Sequence, residues 1–191
     1  MRKLDEQKKV FIALCKAYIR RKGITELLDY LETTDFFTAP ASTKYHGAYP
    51  GGLVEHSLNV YRRLVSKQED MPAGTENETI IVIALLHDIC KVNTYEQTGT
   101  LCADFEQKEY SYTYRNELPA GHGEKSVILI QRYMQLTDEE IIAISWHMGG
   151  FDARARETRE LSEAWKKHPL AVLLHLADME ATWLDERWEE Q

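Results

Sequence analysis

A mainly α-helical bundle carrying one small inserted β-hairpin is the architecture this sequence predicts. Apolar residues recur at helical spacing through most of the chain, and Gly and Pro punctuate the segments. One stretch alone switches to a period of two, at Tyr110, Tyr112 and Tyr114. Size and composition complete the argument. The chain has 191 residues, 43% hydrophobic and 28% charged, which suits a single domain over 1–191 with a sizeable core.

Residues 1–40 read as N-terminal helices. The first, over 4–21, sets Val10, Phe11, Leu14, Ala17 and Tyr18 at helical intervals and stops at Gly23. A short helix follows near 25–33. Residues 35–50 form a loop broken by Pro40 and Pro50. The Gly51-Gly52 pair permits a tight turn into a helix that bears His56 and runs to about Lys67. After a polar loop over 69–77, Asn77 is the expected N-cap of a central helix. That helix holds the apolar run Ile80 to Leu86 and ends at His87-Asp88.

Over 92–120 the helical pattern breaks, and the spacing predicts an inserted hairpin or loop turned at Thr98-Gly99-Thr100. It is either a wall of a site or a plain surface hairpin. Its tyrosines stack on a ligand or pack on the body. Helices resume over about 122–134. Thr137 to Glu140 matches a capping box, and that helix runs to His147 before Met148-Gly149-Gly150 ends it. The last helix spans about 169–189, with Asp178 in its apolar half and acidic residues in its tail. Trp183 and Trp188 in that tail mark a homodimer contact or cap the core.

The net charge is −8. An acidic chain is a poor general binder of long nucleic acid or of anionic membrane. The run near residue 80 is too short to span a bilayer. The charged N-terminus lacks the apolar stretch of a signal peptide. Cys15, Cys90 and Cys102 are scattered and make neither a CxxC site nor a disulfide framework. These features point to a reducing, cytoplasmic setting.

The chemistry is concentrated at His87-Asp88. An ionised carboxylate at the end of a buried helix costs several kcal/mol without a partner. A divalent cation suits the imidazole and the carboxylate together. On one helix the two side chains stand about 100° apart, so both can lean into one cleft. Further donors follow the same order along the chain: His56, then His87-Asp88, His122, His147 and Asp178. Imidazoles with carboxylates favour Mn, Fe, Co, Ni or Zn. A purely structural zinc site would be richer in cysteine.

That ordered set on helical segments resembles the HD-domain superfamily of metal-dependent phosphohydrolases, over a core of residues 41–182. His87-Asp88-Ile89-Cys90-Lys91 looks like the family's His-Asp-Ile-Gly-Lys. Cys90 replaces the usual Gly, a change expected to matter little at a helix end. Tyr45 to His56 is similar to the opening of the HD domain in YhaM-type 3′-to-5′ exoribonucleases. The resemblance implies a phosphohydrolase that cleaves a nucleotide phosphate ester through a metal-bound hydroxide. One ion would be held by His56, His87, Asp88 and Asp178. Asp88 would bridge to a second ion, held also by His122 and His147. Met148 stands where HD-GYP-type sites carry another His, so one-ion and two-ion operation both stay open. Asp88 and Lys91 would be catalytic, Lys91 by holding a phosphate oxygen or leaving-group charge.

Other residues keep two readings. His46 contacts substrate or only shapes its loop. Arg154 binds phosphate with its planar fork, or with Arg156 and Arg159 makes a solvated face. His175 supports a ligand or packs in the core. The expected partner is a small phosphorylated substrate, a nucleotide. YhaM-type enzymes pair their HD domain with an N-terminal OB-fold, whereas residues 1–40 here read as helices. The alternatives are an exoribonuclease or phosphodiesterase acting on short oligonucleotides, and a non-catalytic ligand sensor. Against a cyclic-dinucleotide esterase, the Gly-Tyr-Pro motif is missing. Against the sensor, all six ligand positions are filled.

Overall fold

A computed structural model describes residues 2–104 and 107–186. Its order is α1 (Arg2–Tyr18), α2 (Ile24–Thr33), α3 (Gly52–Val65), α4 (Asn77–Leu86), β1 (Tyr95–Asp104) and β2 (Gln107–Tyr114). Then come α5 (His122–Gln131), α6 (Asp138–Ser145), α7 (Glu160–Lys167) and α8 (Pro169–Glu180). It is a helical bundle with one two-stranded antiparallel hairpin, as the periodicities predict.

Helix α4 is the axis. Ile80 to Leu86 are all buried, so the helix is apolar on every side and must be wrapped. Helices α1, α3 and α6 pack on it, and α8 closes the far side against α3 and α6. Phe11, Phe36 and Phe37 form an aromatic corner, with ring centroids 5.0 to 5.6 Å apart. No helix among the described residues is long and apolar enough to cross a membrane.

The loop before α3 is tightly laced. Gly51 takes φ +86° at the N-cap, and a Cβ on Gly52 would fall 2.0 Å from the Gly47 carbonyl oxygen. The Gly-Gly pair is therefore what lets the chain turn into the helix bearing His56. Ahead of α6, Thr137 accepts from the Glu140 amide while the Glu140 carboxylate accepts from the Thr137 amide, the expected capping box.

Several boundaries differ from expectation. Helix α1 ends at Tyr18, and Gly23, at φ +97°, caps the start of α2 rather than stopping α1. Asn77 is the first residue of α4, with Glu76 at the cap in extended conformation. Thr98-Gly99-Thr100 is not the turn: the register slips between Gln97 and Gly99, so the glycine sits at a bulge within β1. The link between the strands, at 105–106, lies outside the described residues. Helix α7 was not foreseen, because only Ala164 is fully buried in its charged sequence. The last helix stops at Glu180, where the chain widens into a π turn over Ala181–Asp185. Trp183 is exposed and Trp188 falls outside the described residues.

Arg21 staples three parts of the bundle. Its guanidinium donates bidentately to the fully buried Glu140 at 2.6 and 2.9 Å, to Glu78 of α4 at 3.2 Å, and to the Gln135 carbonyl at 3.0 Å. Removing Glu140 takes the bidentate partner from the guanidinium, leaving it Glu78 and the Gln135 carbonyl, and takes the acceptor from the Thr137 amide. Glu140→Ala should lower stability by about 3 kcal/mol in urea unfolding, with an unchanged denaturant slope. A loss below about 1 kcal/mol would contradict this account.

Candidate metal centre

Asp88 is the focus. Its side chain is 3% exposed, and its carboxylate meets five nitrogens. Lys91 Nζ lies at 2.6 Å and His122 Nε2 at 2.7 Å. The Nε2 atoms of His56, His87 and His147 each lie at 3.6 Å. Asp178 completes the ring, 3.1 Å from His56 Nε2. The six positions singled out as metal ligands thus meet in one cluster, and sets of three place their donor atoms within 4.8 Å of each other.

The helix ends explain how. The sequence predicts His87 and Asp88 on one helix, but they do not share one: α4 stops at Leu86, His87 is its C-cap, and Asp88 has left helical geometry. His147 likewise lies beyond the end of α6. Both imidazoles fold back on their own helix. His87 Nδ1–H donates to the Ala84 carbonyl at 2.9 Å, and His147 Nδ1–H donates to the Ile144 carbonyl at 2.7 Å. Each ring satisfies an orphan carbonyl of the helix terminus and so fixes its tautomer. The lone pair on Nε2 is left facing Asp88. His147 Nε2 is buried and has no hydrogen-bond partner. His175 steadies this turn by donating from Nδ1 to the His147 carbonyl at 2.7 Å, so it supports a cluster member without joining the cluster.

His56 is oriented differently. Its Nδ1–H donates to Glu186 at 3.1 Å, and Asn59 donates to the same carboxylate at 2.8 Å. Arg63 then pairs with Asp185, its Nε 2.8 Å away, and Lys67 pairs with Glu180 at 2.5 Å. Residues 56, 59 and 63 line one face of α3 at helical spacing, Lys67 follows just past its end, and the end of α8 with the turn after it is laced to that side. Glu186 was missed in the sequence, where it reads as one more acid in a charged tail. The α3 stripe was the signal that could have found it.

Cys90 also needs correction. It does not merely fill a glycine position: its Sγ lies 3.5 Å from both ring nitrogens of His122 and 4.0 Å from Asp88 Oδ1. His46 stands beside His56, ring centroids 4.9 Å apart, with a buried and unpartnered Nε2. Arg154 is not brought to the cluster. Its guanidinium pairs with Asp152 at 2.6 Å and with Glu124, donates to the Ser145 carbonyl at 3.1 Å, and lies over the Trp146 ring at 4.3 Å. Its fork is already filled, which removes the basis for reading it as a free phosphate binder.

Charge in the cluster is balanced around the two carboxylates. Burial works against the ionised form of each, but the surrounding Lys91 and imidazoles hold Asp88 well below the usual carboxylate range, and His56 does the same for Asp178. Burial pushes His87 down to about 3, so its ring is neutral. Burial also opposes charge on His56 and His122. There the anions win: Glu186 and Asp178 lift His56 to about 10, and Cys90 and Asp88 lift His122 to about 10. His46 is lowered to about 4 by burial and by its cationic neighbours His56 and Lys91.

Two anions and several Nε2 lone pairs converging out of water form a cation-binding arrangement. Protons on His56 and His122 occupy that role in the metal-free protein. Ligation requires neutral rings. Since both folded-state values lie near 10, metal must displace those protons throughout the neutral range. Metal affinity should therefore rise by about tenfold per pH unit for each ring deprotonated. Titration calorimetry between pH 6 and 8.5, in buffers of different ionisation enthalpy, reads the released protons. Affinity independent of pH would show that the rings are already neutral.

A family model described as HD domain matches residues 53–183, more than half of the chain and all six clustered positions. No curated protein and no solved structure gives a significant match. With its His and Asp donors gathered around one buried carboxylate, the chain belongs to the HD-domain family and carries that family's metal-dependent hydrolase architecture.

Proposed function

We propose that the protein is a metal-dependent phosphohydrolase acting on a phosphate ester of a nucleotide. The observation that carries this reading is the cluster around Asp88, whose side chain is buried yet met by His56, His87, His122, His147 and Lys91. Its donors fit a divalent transition ion, and the buried, unpartnered Nε2 of His147 is a lone pair awaiting one. His56, His87, Asp88 and Asp178 would hold one ion. Asp88, His122 and His147 would hold a second, with Cys90 Sγ within reach as an additional soft donor. When bound, the metal supplies Lewis-acid chemistry, polarising the phosphate and acidifying a water.

The chain's own residues then do four things. Glu186 and the backbone carbonyls of Ala84 and Ile144 keep three imidazoles aimed inward. Asp88 is kept anionic by its neighbours, ready to bridge. Lys91 keeps its proton, because Asp88 outweighs the burial that opposes its charge. Its ammonium is placed to offset the negative charge that builds on phosphate or leaving group. Buried walls keep bulk water from the cluster except on the side of His122, whose side chain is 33% exposed.

The nucleotide assignment rests on the family resemblance, and one assay tests it together with the chemistry. Mn²⁺-loaded protein is incubated with nucleoside mono- and triphosphates, a cyclic dinucleotide and a short single-stranded RNA, and products are separated by chromatography. Loss of the mono- or triphosphates is expected, and His87→Ala or Asp88→Ala should reduce it by about a thousandfold or more. Stepwise shortening of the RNA would replace this reading with the exoribonuclease one. Hydrolysis undiminished in both variants would overturn the site. For Cys90, the Co²⁺-loaded protein should show a near-ultraviolet sulfur-to-metal charge-transfer band that Cys90→Ser removes. Identical spectra would exclude the thiolate as a donor.

A further inference from the structure

The recess beside the cluster is lined by a buried lysine that has no anionic partner among the described residues. It is a cavity of about 80 Å³, room for several waters or one compact oxyanion, between the turn after α4, the base of the hairpin and α5. His122 and Cys90 line it on the side of the cluster, Lys91 and Lys125 are among its lining residues, and Tyr95 and Tyr114 line the hairpin side.

The two lysines differ. Lys91 is neutralised by Asp88 at 2.6 Å. Lys125 is 9% exposed, and among the described residues its ammonium nitrogen contacts Thr94 Oγ1 at 3.4 Å. No carboxylate pairs with it among the described residues. The nearest acid in sequence, Glu124, pairs with Arg154 through Oε1 and forms no ion pair with Lys125, and Asp88 is committed to Lys91 and His122. A lysine nitrogen drawn out of water without an anion is unfavourable, and packing alone does not call for one where a methionine would fill the same space. Lys125 also follows His122 by three residues on α5, so it shares a helix face with a cluster member.

We propose that this recess is an oxyanion subsite in which Lys125, backed by Lys91 and Thr94, holds a phosphate group of the substrate on the hairpin side of the metal cluster. The missing counter-charge is the ligand's. Tyr114, 55% exposed with its ring centroid 6.0 Å from that of Tyr95, leaves an aromatic rim for the organic part of the ester. The assignment rests on the phosphohydrolase reading only in calling the anion a substrate phosphate; the unpaired ammonium stands without it.

The test uses Lys125→Met, which keeps the volume and removes the charge, and Lys125→Arg, which keeps the charge. Inorganic phosphate is titrated into the Mn²⁺-loaded protein by calorimetry, metal content is measured alongside, and melting temperature is taken without phosphate. Lys125→Met should weaken phosphate binding at least tenfold, leave metal content unchanged and raise the melting temperature, since it removes a buried unpaired charge. Lys125→Arg should retain most of the binding. On any ester that the protein hydrolyses, the Met variant should raise KM about tenfold while changing kcat far less. Unchanged phosphate affinity in Lys125→Met, or a lowered melting temperature, would overturn the proposal. If no ester is hydrolysed but phosphate binding still depends on Lys125, the subsite holds and the phosphohydrolase reading fails.

Discussion

The structure depends on the Asp88 carboxylate and the price of keeping it out of water. A buried anion is tolerable only if cationic or donor groups surround it, and here they arrive from every part of the fold: His56 from α3, His87 and Lys91 from the two sides of the α4 terminus, His122 from α5, His147 from beyond α6. The bundle can be understood as a means of ending four elements at one point. Helix α4, apolar all round, is the peg that fixes where that point lies. Helices α3 and α6 pack directly on it, so the groups they carry are set by core packing rather than by loops.

Close packing also fixes the spacing within the cluster. Gly123, next to His122, lies against the end of α6, and a Cβ there would come within 2.4 Å of the Ile144 carbonyl oxygen. That same carbonyl accepts from His147 Nδ1. The approach of α5 to α6 and the aim of His147 are therefore one constraint: only a residue without a side chain lets His122 and His147 come to ring centroids 5.2 Å apart. On the opposite side, the ionic lacing of α3 to the end of α8 does the equivalent for His56 and Asp178.

How much of this could be seen in the sequence follows from which signals are local. The apolar run at 80–86, the alternating tyrosines and the Thr137 capping box are short-range patterns, and each became the expected element. The order of His and Asp positions was legible because imidazoles and carboxylates are scarce in apolar segments. What escaped depends on tertiary approach. Helix α7 turns only a narrow side inward, with Trp165 over the His175 ring at 5.3 Å, so its short, mostly charged sequence is easily passed over although its few apolar residues fall on one face. Glu186 acts because the π turn after α8 carries it back to α3, and Cys90 because the turn after α4 brings it to α5. The two readings of Arg154 could not be separated in the sequence for the complementary reason: its fork pairs with Asp152, a near neighbour, and with Glu124, a distant one.

The cluster is not symmetric, and the asymmetry gives it a direction. His56, His87 and His147 are at most 1% exposed in their side chains, and Asp178 is 13% exposed, whereas His122 is 33% exposed. The donors on the α3 side are held by a carboxylate and a helix terminus and are closed off by the end of α8. Those on the α5 side include the single sulfur and border the recess with its two lysines. A closed half suits an ion that stays, since every donor there is fixed before binding. An open half is where solvent and a ligand could reach an ion held by His122, His147 and Asp88. The same division sets Lys91 and Lys125 beside the open half, so a protein of net charge −8 still carries two cations at the recess that borders its cluster.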